Sequence, residues 1–324
     1  MNLTPHPFAK YVAILARGKN LSRSLTRDEA RDAFGMILDR QDLPEQRGAF
    51  LMLLRYREET GDEIAGFVDA IRARLAKSQD TVTPDLDWPS YAGKARLTPW
   101  YLLAALALAA SGRKILMHGI AGHTAGRSYT DDALAALDIP KARDVAHAMQ
   151  MLSDQHFAYL PLEGIHPVLA ELIIMKQVLG LRSPINSLVR SVNPFKAPSS
   201  LIGVFHPGYI DIHREAALLL NDARTLIFRG DGGEAERRIA KPCELTLVAD
   251  SQAKVERWPA LTSLVPEEII NLNHLREVWL GQTSDDAAEK IVTGTVALAL
   301  HCMGEAAARE AAHAHALDIW RARR

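Results

Sequence analysis

Two cysteines, Cys243 and Cys302, are all that 324 residues contain. No disulfide framework can staple such a chain, and a reducing compartment is the simplest reading. The stretch Met1 to Phe8 has no charged region leading into an apolar run, so no signal peptide is expected. The most apolar segment, Leu97 to Ala110, is about fourteen residues, too short to span a bilayer and suited to a buried helix. No membrane contact and a cytoplasmic location are therefore expected. No internal repeat or low-complexity tract is visible. No G-x-G-x-x-G or P-loop follows a strand, so Gly230-Asp231-Gly232-Gly233 reads as a turn. A Ser-His-Asp signature and zinc spacing are also missing. His313 and His315, two apart on a helix, cannot share a face to hold a metal.

What is present divides in two. Thr26 with Glu29 forms a capping box, and Ala30, Ala33, Phe34, Ile37 and Leu38 make the apolar stripe of a helix. Pro44 opens a second helix, and Ile64 to Leu75 forms another after Thr60-Gly61-Asp62-Glu63. Residues 1–79 thus read as a helical domain, and Asp80 to Pro89, rich in Thr, Asp and Pro, as a linker. From 80 to 324 strands alternate with helices. The strands are Lys114–Met117, Leu201–Phe205, Thr225–Phe228 and Leu245–Val248, and the helices include Thr130–Leu137, Ile212–Leu220 and a long final one over Ala287–Arg324. This order predicts an α/β domain with a mostly parallel sheet behind an N-terminal helical domain.

Net charge is −1, so any basic surface must come from local arrangement. Two stretches hold no Asp or Glu: Trp88 to Thr130, with Lys94, Arg96, Arg113, Lys114 and Arg127, and Leu172 to Ile210, with Lys176, Arg182, Arg190 and Lys196. With acids at 39 of 324 positions, chance would put about five in each. Burial of the Leu97–Ala110 helix explains part of the first gap and less of the second. A third group, Arg229, Arg237, Arg238 and Lys241, is diluted by Asp231, Glu234 and Glu236. The terminal Arg321, Arg323 and Arg324 are accounted for as favourable charge at a helix end. Tyr91, Trp100 and Tyr101 are candidates for base stacking, with core packing the better role for Trp100. His118, His123, His206 and His213 are possible phosphate contacts, though a lone histidine is more often structural.

Five blocks in order carry a resemblance: Leu25-Thr26 through Arg55, Glu63–Val68, His118-Gly119, Leu179–Arg182 with Asn186 and Asn193-Pro194, and Phe228-Arg229-Gly230. Together they resemble the anthranilate phosphoribosyltransferase family, of the glycosyltransferase family 3 fold. The resemblance implies a helical domain completed by helices from about 162 to 192, a larger α/β domain, and a homodimer through the helical domains.

It also implies a lost donor site. Where the family has a Gly-Thr-Gly-Gly-Asp loop for pyrophosphate, this chain has Ser90-Tyr91-Ala92-Gly93-Lys94; its Lys-His-Gly-Asn motif is Met117-His118-Gly119-Ile120. A phosphate loop needs glycines so that backbone N–H groups approach the anion. The family's Mg²⁺-holding Asp-Glu pair falls near Gly233-Glu234-Ala235. Tyr91, Gly93, His118, Gly119 and Arg182 then mark a degenerate substrate site without catalytic or metal residues.

The chain thereby resembles the family's non-enzymatic branch typified by the bacterial DNA-binding protein YbiB. The expectation is a cofactor-free protein binding DNA or RNA without sequence preference, through phosphate contacts from Lys94, Arg96, Arg127, Arg182, Arg190, Lys196, Arg229, Arg237, Arg238 and Lys241. The alternative is an active phosphoribosyltransferase with altered substrate, requiring Mg²⁺. A third possibility is a binding module for a small phosphorylated ligand.

Overall fold

The computed structural model describes residues 4–18, 20–75, 82–222 and 224–323. Arg324, and the linker residues Asp80 and Thr81, lie outside them. The N-terminal helices run Ala9–Ala16, Arg27–Leu38, Pro44–Arg57 and Gly61–Arg72. Thr26 caps the second as expected, its side chain accepting from the Glu29 amide while Glu29 reaches back. Thr60 and Glu63 do the same for the fourth.

Phe8, Phe34, Phe50 and Phe67 form the centre of the helical core, with rings 5.0 to 6.2 Å apart between Phe34, Phe50 and Phe67. Leu169, Leu172, Ile185 and Leu188, from the later helices Pro167–Ile174 and Ile185–Leu188, belong to the same core. The chain therefore returns to this layer after the sheet has begun.

Seven strands build one sheet: β1 (Leu86–Ser90), β2 (Ile115–Gly119), β3 (Phe157–Pro161), β4 (Ser199–Val204), β5 (Arg224–Arg229), β6 (Cys243–Ala249) and β7 (Gln252–Trp258). Their spatial order is β3-β2-β1-β4-β5-β6-β7, parallel through β5 and antiparallel beyond it. The buried helix Tyr101–Ala110 and the helix Asp286–Met303 cover one face. This is the two-domain, mostly parallel α/β architecture read from the sequence.

Three details differ from expectation. The supposed linker contains β1, because Leu86 and Trp88 are fully buried. Pro89 leaves a trace: β1 pairs with β2 at five positions but with β4 only at Asp87–Ser200, since proline has no ladder N–H. The final helix is two, Asp286–Met303 and Arg309–Ala322, broken where Gly304 takes φ 77° at the C-cap. The strands β3 and β7 are additional.

Strand order reverses between β1 and β4, and in open α/β sheets ligands bind beyond the C-terminal ends of strands at such a switch point. There the helical layer and the sheet domain face each other. Arg72 ties them together, donating Nε to the Val192 carbonyl at 2.8 Å and Nη1 to Asp222 at 3.0 Å.

Candidate functional site

The loop leaving β1 forms the floor of the cleft. Tyr91 is 1% exposed, and its hydroxyl meets His118 Nδ1 at 2.6 Å. The other face of His118 looks at Asp87, with Nε2 and Oδ1 3.2 Å apart in poor hydrogen-bond alignment. Tyr91 is thus unavailable for stacking, contrary to the expectation, because it is locked under His118. Trp100 is core, as anticipated. Beside them Ser90 Oγ, Thr130 Oγ1 and the Tyr101 hydroxyl form a buried polar triangle, with 2.7, 3.0 and 3.3 Å edges. Gly119 lets β2 pass here, since a Cβ on it would stand 2.1 Å from the Ser90 carbonyl oxygen.

The amides of Ala92 and Gly93 converge on one atom. Both donate to Glu234 Oε1, each at 2.6 Å, and Glu234 is fully buried. Two neighbouring N–H groups aimed at one oxygen make an anion-holding concavity. Here the chain fills it with its own carboxylate.

Lys94 seals the rest. It is fully buried, and its ammonium bonds to Asp231 and, at 2.5 Å, to Glu236. Glu236 also accepts from the Tyr101 amide at 2.8 Å. Burial opposes the charge on Lys94, but Glu236 and Asp231 outweigh it and hold its pKa above the ordinary value. Burial, aided by Asp231 and resisted by Lys94, pushes Glu236 up to about 7. Across the slot, a Cβ on Gly232 would lie 3.5 Å from the Gly93 carbonyl oxygen, so the β1 and β5 loops nearly touch.

Other expected contacts are also committed internally. Arg190 donates Nη1 to the Gly203 and Gly233 carbonyls at 2.9 and 3.1 Å, and burial lowers its pKa. Arg127 donates to the Ala92 and Gly93 carbonyls, both at 2.9 Å. Arg96 is exposed but paired with Glu268 at 3.2 Å. Arg237 is buried and donates to the Pro259 carbonyl at 2.6 Å. Arg182 and Lys196 are exposed, as are Arg229 and Lys241, while Arg238 is half-buried.

At the cleft mouth, Arg182 and Lys176 both reach Thr124 Oγ1, at 3.4 and 3.2 Å. His123 Nε2 pairs with the Tyr91 carbonyl at 2.9 Å, and burial lowers its pKa to about 4. Sequence reasoning missed the roles of Asp87, Thr124, Asp231 and Glu236. The acids scattered through the third basic group were the available signal for the last two.

The residues present do not fit Mg²⁺. Asp231 and Glu236 hold an ammonium, Glu234 Oε1 holds two amides, and no group of three metal-ligating side chains occurs among the described residues.

The glycosyl transferase family's helical bundle domain matches residues 10–75, and its a/b domain matches residues 101–321. An anthranilate phosphoribosyltransferase of Erythrobacter litoralis is 31% identical over 253 residues, 77% of this chain and 73% of the relative. This chain belongs to the anthranilate phosphoribosyltransferase family. The corresponding enzyme of Beijerinckia indica is 30% identical over 244 residues, covering 75% of this chain and 70% of its own length. For the fold alone, the Thermus thermophilus enzyme superposes with a TM-score of 0.79 at 22% identity, covering 97% of this chain and 95% of that one. The Saccharomyces cerevisiae enzyme in complex with PRPP and Mg does so with a TM-score of 0.77 at 15% identity, covering 100% and 96%.

These relatives, all named as phosphoribosyltransferases, overturn the expectation of a nucleic-acid-binding protein. The physical reason it misled is burial. Lys94, Arg190 and Arg237 were counted as phosphate contacts, but Lys94 and Arg190 are bonded within the fold and Arg237 is buried, with its Nη2 on the Pro259 carbonyl. No helix among the described residues is long and apolar enough to cross a membrane.

Proposed function

We propose that this chain is a phosphoribosyltransferase that uses a substrate different from that of its named relatives and holds no metal through its own carboxylates. One observation carries the reading: the Ala92 and Gly93 amides converge on a single anionic oxygen at the C-terminal end of β1. Phosphate oxygens are recognised by this arrangement of backbone donors. With Glu234 swung aside, the same amides face a diphosphate. Arg182 and Lys176, joined through Thr124, give the cleft mouth positive charge suited to an organic acid. Family membership supports the same chemistry.

Catalysis in this reading is positional and electrostatic. The amides orient the donor's leaving group, and His118 is held by its hydrogen bond with the Tyr91 hydroxyl. The test is release of pyrophosphate from phosphoribosyl pyrophosphate, measured over a panel of aromatic and heterocyclic acids with and without added Mg²⁺. Release with an acceptor other than anthranilate is expected. Absence of release across the panel, from wild type and Glu234→Ala alike, overturns the reading.

A second reading has its own support in the Lys94–Asp231–Glu236 closure: a module that holds a phosphorylated ligand without reacting it. Donor binding without pyrophosphate release distinguishes it. We also propose the homodimer through the helical domains. Leu21, Tyr56 and Val178, exposed at 69%, 87% and 82%, support it, and light scattering of the purified chain tests it.

A further inference from the structure

Two cations at the cleft mouth share one neutral oxygen. Lys176 opens the short helix Lys176–Leu179, and Gly180, at φ 78°, turns the chain at its end. Arg182 thereby comes round to the side of Lys176. The Lys176 ammonium and Arg182 Nη2 both donate to Thr124 Oγ1, at 3.2 and 3.4 Å. Thr124 lies in the loop leaving β2, where His123 Nδ1 also meets its hydroxyl at 3.2 Å. Arg182 is exposed, and Lys176 and Thr124 are half-buried, so the cluster is open to a ligand.

No carboxylate answers this charge. Lys176, Arg182 and the neighbouring Arg127 make no ion pair among the described residues. The pKa of Arg182 is lowered, first by burial and then by Arg127, and no acid acts on it. Beyond burial, the charges that lower the pKa of His123 are Arg182, Lys176 and Arg127, all positive. Like charges at this spacing repel, and a neutral hydroxyl offsets them far less than a carboxylate does. A single carboxylate, such as that of anthranilate, neutralises one of the two cations and leaves the other without a counter-ion.

We propose that the acceptor taken at this cleft mouth carries two negative charges, one group on Arg182 and the other on Lys176, with the Thr124 hydroxyl between them. This inference rests on the transferase reading above and narrows its acceptor from an organic acid to a dicarboxylic one. Transfer itself is unaltered. An acceptor nitrogen bonds to the ribose C1, the C1–oxygen bond breaks, pyrophosphate leaves with that electron pair, and the nitrogen's proton passes to water.

The test is calorimetric titration of the full chain with isophthalate and with benzoate at equal ionic strength. Beside it, pyrophosphate release is measured with 2-aminoterephthalate and with anthranilate. Isophthalate is expected to bind roughly tenfold more tightly than benzoate or better, through one added charge-assisted hydrogen bond. Lys176→Met removes the ammonium, keeps most of the side chain, and should abolish that preference. Lys254→Met on β7, at the far edge of the sheet, should leave the preference unchanged, which excludes a general effect of charge. The inference is overturned if isophthalate binds no tighter than benzoate, or if Lys176→Met keeps the preference. Release with anthranilate but not with 2-aminoterephthalate also overturns it and leaves the transferase reading standing. A preference for isophthalate without release from either acceptor sinks the transferase reading alone and leaves the two-charge ligand site.

Discussion

Replacing Lys94 by methionine removes the only ammonium from a buried pair of carboxylates while keeping the volume of the side chain. Lys94 and Glu236 are both fully buried, and Asp231 is partly so. Removing one partner of a buried ion pair costs about 3–5 kcal/mol, which lowers the melting temperature of a domain this size by roughly 6–20 °C. The sign of the pH dependence follows from Glu236. Its folded pKa of about 7 lies above the ordinary 4.5, so folding favours the protonated acid. The stability it contributes is full below its unfolded value and is lost as pH rises through about 7. Without Lys94 the carboxylate loses the one charge that lowers this pKa, which therefore moves higher.

Lys94→Met should therefore cost most at pH 8 and much less at pH 5, each measured against wild type at the same pH by circular dichroism melts. Glu236→Gln in the same chain should restore much of the loss. A drop at pH 8 under about 2 °C, or an equal drop at both pH values, would refute the idea that Lys94 holds two buried carboxylates.

Further outcomes follow from the same structure. Gly119→Ala forces β2 away from the Ser90 carbonyl, and a backbone clash of this kind should cost about 2 kcal/mol or more in urea unfolding. Glu63→Ala leaves the Leu25 and Thr60 amides without their acceptor and should cost about 1–3 kcal/mol, whereas Glu63→Gln should cost less. His123 and His213 are held by burial at about 4 and about 3, so unfolding lets them take up protons. Stability from this source is therefore lost as pH falls below the ordinary histidine value, and His213→Gln should flatten that slope; an unchanged slope refutes it.

The sequence disclosed what local rules govern. Thr26, Glu29, Thr60 and Glu63 announced two helix starts, because capping is settled within four residues. The Lys114–Met117 and Thr225–Phe228 runs are strands, the first shifted to Ile115–Gly119 and the second extended to Arg224–Arg229. What stayed hidden depended on distant partners. β1 contains Asp87 and Pro89, which read as linker until Trp88 is seen buried against the sheet. Lys94 looked like a free cation in an acid-free stretch, yet its acids lie 137 and 142 residues further along the chain. The same blindness made Arg190 and Arg237 into surface charges. In contrast, His118-Gly119 and the Tyr91–Lys94 loop, singled out through the resemblance, lie side by side at the ends of β2 and β1, where the Tyr91 hydroxyl meets His118.

We propose that the Ala92 and Gly93 amides hold phosphate once the Glu234 carboxylate leaves them. Titration calorimetry with phosphoribosyl pyrophosphate in excess chelator, comparing wild type with Glu234→Ala, tests it most directly. Glu234→Ala is expected to bind the donor roughly tenfold more tightly than wild type or better, since one competing hydrogen-bond acceptor is gone. Equal or weaker binding by a folded Glu234→Ala chain would contradict it.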